Sequence, residues 1–115
     1  MTDTVHLRES LRAAGTPEFE QTLREEILRN NWGVPLEDFC PMEAWPGFDV
    51  DLSLSVHRLE EVDRTLRVKA FVSFTGRIPS YCADHAHTVP ADGFLRIAID
   101  KDTAEAHFET DPMGA

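Results

Sequence analysis

Between Phe48 and Thr75 the chain carries two runs in which apolar and polar residues alternate. Phe48, Val50, Leu52, Leu54 and Val56 fall on one parity and Asp49, Asp51, Ser53, Ser55 and His57 on the other. That period of two belongs to a strand with one wet face. Leu66, Val68, Ala70, Val72 and Phe74 repeat the pattern against Arg67, Lys69, Ser73 and Thr75, with Phe71 the one large apolar residue on the polar side. Two such runs joined by a short charged gap predict a β-hairpin. Facing residues must share a face, so the connection has an odd count or one strand carries a bulge. Pairing Val56 with Leu66 satisfies this. It brings Asp49 and Asp51 near Lys69 and Arg67 and leaves Glu60-Glu61-Val62-Asp63 as a projecting acidic tip.

A second hairpin is expected further on. Leu95, Ile97 and Ile99 share a face, Asp100 to Thr103 reads as the turn, and Ala104, Ala106 and Phe108 continue the return strand, with Phe108 opposite Leu95. The intervening Arg77 to Asp92, with Pro79 and Pro90, reads as a loop, although Ile78 to Cys82 could extend a strand past a bulge.

Upstream of the hairpins the period changes. Thr4 is placed to cap a short helix bearing Leu7, Leu11 and Ala14, which Gly15 ends. Thr16-Pro17-Glu18 is placed to start a second, with Phe19, Leu23, Ile27 and Leu28 as its apolar stripe and Asn30 to Gly33 as its stop. Val34 to Gly47, rich in proline and large apolar residues, reads as an ordered connector with a turn of helix near Leu36 to Phe39. The expected fold over residues 1–115 is one α+β domain: two N-terminal helices packed on one face of a four-stranded antiparallel sheet made of two hairpins. A more curved alternative is a cone-shaped sheet enclosing a pocket lined by Trp32, Phe39, Trp45, Phe48 and Tyr81.

Charge narrows the function classes. Twenty-one acidic against eleven basic residues give −10 at neutral pH, which argues against nucleic acid or an anionic membrane as direct partner. The imbalance is uneven: Glu37 to Asp63 sums to −7, whereas Arg64 to Arg77 sums to +4 with no acid in it. No apolar run is long enough to span a membrane. The first ten residues lack a basic segment followed by an apolar one, so a cytoplasmic protein is expected, with Cys40 and Cys82 as free thiols.

Chemistry-bearing residues cluster at Tyr81 to His87. Cys82, His85 and His87 could serve as zinc ligands, with Cys40 or His57 as a distant fourth, but the second ligand pair usual in structural zinc sites is missing. Cys82 beside His85, His87 and Asp84 could also be read as a nucleophile, yet no glycine-lined oxyanion hole accompanies it. Phosphate-binding loops, G-x-S-x-G, H-E-x-x-H and calcium loops are all absent from the sequence.

The function expected from these features is that of a small acidic, non-enzymatic binding protein of the inhibitor, immunity or adaptor kind. It would need no cofactor, and Glu37, Asp38, Glu60, Glu61 and Asp63 would meet the basic surface of a protein partner. A zinc-binding module and a small-ligand or minor enzymatic pocket are the alternatives. An unpaired sheet edge also leaves room for a homodimer.

Overall fold

The structure, a computed structural model, describes residues 4–30, 33–40, 44–46, 51–78 and 87–112. Its elements in chain order are strand β1 (Val5–His6), helix α1 (Arg8–Ala13), helix α2 (Phe19–Arg29), a 3-10 turn (Leu36–Phe39), and strands β2 (Trp45–Pro46), β3 (Ser53–Val62), β4 (Thr65–Ile78), β5 (His87–Asp100) and β6 (Glu105–Pro112). All strand pairings are antiparallel, in the order β1-β6-β5-β4, with β2 and β3 both paired to β4. Because β3 faces Thr65 to Ser73 and β2 faces Gly76 and Arg77, these two lie end to end along one side of β4. The fold is therefore the expected α+β arrangement on an open sheet, with five strand positions instead of four. The extra position is β1, and neither β1 nor β2 is long enough to show a period.

One face of the sheet carries the core. Leu66, Val68, Ala70, Val72 and Phe74 of β4 are all buried, as are Leu95, Ile97 and Ile99 of β5, and they cluster with Leu7, Phe19, Leu23 and Ile27 from the helical layer. Burial of each Leu, Val, Ile or Phe side chain among them contributes about 1.5–3 kcal/mol. Phe39, from the 3-10 turn, is seated on the β5 backbone at Gly93, where a Cβ would come within 2.6 Å of the phenyl ring. Phe39 thus fills the core instead of lining a pocket, and the sheet stays open where a cone had been the alternative.

Several local expectations are corrected. The turn of the first hairpin is Asp63-Arg64, with Val62 facing Thr65, so Glu60 and Glu61 belong to a strand and not to a loop. Asp63 takes the left-handed conformation (φ 56°) that short polar residues tolerate. Val56 faces Ala70, not Leu66, and the parity condition is met by a bulge at His57. Asp51 precedes β3, while Arg67 and Lys69 face Glu60 and Arg58. In the second hairpin Phe108 faces Ile97, a shift of two residues that keeps the faces but moves the turn to Lys101–Ala104. There Ala104 has φ 64° and its amide donates to the Asp100 carbonyl.

Both ends of the loop expected over Arg77 to Asp92 are strand, since β4 runs on to Ile78 and β5 starts at His87, while residues 79–86 lie outside the described residues. Pro90 is accommodated because, among the described residues, β6 pairs with β5 only from Gly93 onward and this part of β5 is laddered to β4 alone.

The helix caps also differ from expectation. Thr4 does not cap α1, because β1 intervenes and the residue before the helix, Leu7, has no capping side chain. The Glu26 carboxylate of α2 does that work from outside the helix. It accepts from the Ser10 amide (2.6 Å), the Ser10 hydroxyl (2.6 Å) and the Glu9 amide (3.2 Å). These are amides of the first turn, which lack partners within the helix. Ser10 and Glu26 are the buried polar residues of the described chain, and each is satisfied by the other. Thr16 likewise does not cap α2, for its hydroxyl donates to the Ala13 carbonyl.

Candidate functional site

The bulge at His57 decides what the outer face of the sheet presents. By parity alone Arg58 and Glu60 would follow Val56 toward the core. One extra residue in β3 reverses the alternation, so Arg58 stands opposite Lys69 and Glu60 opposite Arg67, all directed away from the helices. Arg96 of β5 stands opposite Lys69 on the other side, and Glu109 of β6 stands opposite Arg96. The outer face thus holds a cross-strand row Arg58–Lys69–Arg96 of three cations in direct register. Arg67 lies two residues along the same strand, about 7 Å away.

Like charges facing each other across a ladder are destabilising, by a few tenths to about 1 kcal/mol per pair. In a chain with an excess of ten acids, their meeting here is unusual. Compensation is partial. Arg58 approaches Glu60 at 3.8 Å and Arg96 approaches Asp111 at 3.3 Å, both pairs solvent-exposed. Lys69 Nζ lies 4.6 Å from the centroid of the Phe94 ring. Arg67 is exposed and has no ion-pair partner among the described residues.

In the next row Arg67 faces Ala98, and Ala98 faces His107. The small Ala98 side chain between two long ones leaves a depression. The resulting groove of about 430 Å3 is lined by Arg58, Glu60, Arg67, Lys69, Arg96, Ala98, His107 and Glu109, together with Val68 and Ile97. On the other side of the cationic row lies an aromatic cluster. Phe71 and Phe94 face each other in register with centroids 5.4 Å apart, and His57 meets Phe94 edge-on at 5.3 Å. The histidine displaced by the bulge thus joins the two phenylalanines, and Phe71, anomalous in the strand pattern, has its partners here.

The residues singled out in the sequence are dispersed. Glu37 and Asp38 are exposed in the 3-10 turn, where Asp38 accepts from the Thr110 hydroxyl at 3.0 Å. Glu60 lines the groove, whereas Glu61, its neighbour in β3, points to the opposite face and pairs with Lys101 at 3.1 Å. Asp63 occupies the turn.

Of the zinc candidates, Cys82 and His85 lie outside the described residues, as do Trp32, Phe48 and Tyr81. His87 opens β5 opposite Ile78. Among the described residues no group of three or more His, Cys, Asp or Glu is arranged to hold a metal. Cys40 is a free, half-buried thiol whose pKa is raised by burial and further by Glu37, which disfavours the reactive thiolate.

Arg58 escapes sequence reasoning because a bulge leaves no mark on a parity pattern, whereas Glu60 is among the partner-binding candidates of the sequence and Arg67 and Lys69 fall on the wet face by alternation alone. The signal that pointed to them was the acid-free stretch Arg64 to Arg77. Comparison with protein-family models, curated proteins and solved structures finds no match to this chain.

Proposed function

We propose that the chain is a non-enzymatic binding protein whose recognition surface is the outer face of its sheet and whose partner presents negative charge there. The observation that carries this is the row Arg58–Lys69–Arg96. It is a local violation of strand-pairing electrostatics in a molecule otherwise consistent with its fold, and such violations concentrate at functional sites. An anion bound over the row would relieve the repulsion, and its two guanidinium groups and one ammonium, with the Arg67 guanidinium beside them, supply donors suited to oxyanions.

A second reading keeps the class and reverses the charge. In it the exposed Glu37, Asp38, Glu60, Glu61 and Asp63 meet a basic protein. It is supported by the net charge of −10 and by the exposure of all five.

Thermal unfolding with anionic and cationic probes separates the two, since a ligand that binds the native state alone raises the midpoint. At least one anionic probe, whether a phosphate compound or polyglutamate, should raise it at low salt and lose its effect at high salt, when the Debye length falls to about 3 Å. A shift with polylysine and none with any anionic probe would reject the first reading in favour of the second.

A further inference from the structure

Resting on that reading, we infer that the groove takes a small organic phosphate monoester, and not a polyanion. Three features limit the ligand. The first is charge. The groove-lining side chains comprise four cations, Arg58, Arg67, Lys69 and Arg96, against two carboxylates, Glu60 and Glu109. The surplus is +2, and a phosphate monoester carries about −1.5 to −2 near neutral pH.

The second is extent. The cationic row crosses three strands, about 10 Å at ordinary strand spacing. A volume of about 430 Å3 lies within the range of small-molecule sites. The third is the boundary. Glu60 adjoins one end of the row, Glu109 faces the other end, and Asp111 holds Arg96 from beyond it. A long polyanion laid across the row would have to pass over these carboxylates and then over a chain of net −10. A compact dianion stays within them.

Within the groove Arg67 is the anchor, because its guanidinium is not engaged by a neighbouring carboxylate among the described residues and can offer a bidentate fork to two phosphate oxygens. Lys69 and Arg96 complete the contact from the adjoining row. Ala98 is the floor, and its small side chain gives the phosphate room to reach both rows.

The test is titration by calorimetry and by amide NMR at low salt, with phenyl phosphate, inorganic phosphate, benzoate, a polyglutamate peptide and a single-stranded oligonucleotide as probes. Phenyl phosphate should bind one per chain, shift the amides of Arg67, Lys69, Arg96 and Ala98, and bind at least tenfold more tightly than benzoate. Arg67→Gln should weaken it at least tenfold. Ala98→Leu should abolish it with thermal unfolding unchanged, so that loss of binding is separated from loss of fold. If polyglutamate or the oligonucleotide shifts these amides and phenyl phosphate does not, the inference is overturned while the recognition face stands. If no anionic probe shifts them, both fall.

Discussion

The two faces of this sheet are built from the same strands and obey different rules. On the inner face buried apolar side chains of β4 and β5 meet in register, Leu66 with Ile99, Val68 with Ile97 and Ala70 with Leu95, and in the helical layer Ser10 and Glu26 satisfy each other. On the outer face Arg58, Lys69 and Arg96 meet in register, and Arg67, although it faces Glu60 across the ladder, closes no ion pair among the described residues. The inner face is arranged for stability. The outer face gives some of it up, which is the pattern expected where binding competes with stability.

The comparison is sharpest at two positions of β5, Leu95 on the inner face and Ala98 on the outer. Leu95 is fully buried, so Leu95→Ala should cost about 2–5 kcal/mol through lost burial and cavity formation. Ala98→Leu, three residues along and on the outer side, should leave the urea midpoint almost unmoved. Comparable losses from both would mean that the outer face is packed as a second core.

Glu26 tests the rule that buried polar groups are satisfied. Glu26→Ala would strand the Glu9 and Ser10 amides and the Ser10 hydroxyl, at a cost of about 1–3 kcal/mol with loss of helical signal from α1. The same truncation at Arg67 should cost nothing measurable. An equal loss at Arg67 would show that this arginine has a structural task.

The smallest effect concerns a charge pair arranged in the ordinary way. Glu9 and Arg29 meet at 2.6 Å on the helical surface, and the hydrogen bond and charge of Arg29 hold the Glu9 carboxyl below its usual range. A depressed carboxylate pKa contributes stability above the unfolded value, and that contribution is lost as pH falls through the folded value. Wild type should therefore be slightly more stable than Glu9→Gln at neutral pH, and the gap should close in acid. A gap that widens in acid would contradict this. The pair is exposed, so the effect is small.

Much of the fold was legible because the patterns were long. Alternation in β4 named its buried residues, and the stripe Phe19, Leu23, Ile27 named the buried face of α2. Registers were not legible. Sequence parity fixes which residues share a face, but not how far one strand slides along another in steps of two, so parity allows Phe108 opposite Leu95 as readily as opposite Ile97, where it stands. Even parity failed beyond His57, where the bulge turned Arg58 and Glu60 outward. The acidic surplus drew attention to the carboxylates, while the minority charge, gathered on β4 and its neighbours, forms the candidate site. Elements of two residues, β1 and β2, and a cap supplied from sixteen residues away leave no local trace.

Repulsion within the cationic row should be a cost to the fold, and Lys69→Glu tests this most directly. The substitution takes the net charge from −10 to −12, so if overall self-repulsion governed stability it would destabilise. It also converts two facing like-charge pairs into opposite-charge pairs, at the loss of a cation–π contact worth about 0.5–1 kcal/mol. Urea unfolding at low salt should show the variant more stable than wild type by about 1 kcal/mol, with the gain shrinking as salt is added. A variant less stable than wild type at low salt would show that the row carries no strain, and the case for the outer face as an anion-recognition surface would lose its foundation.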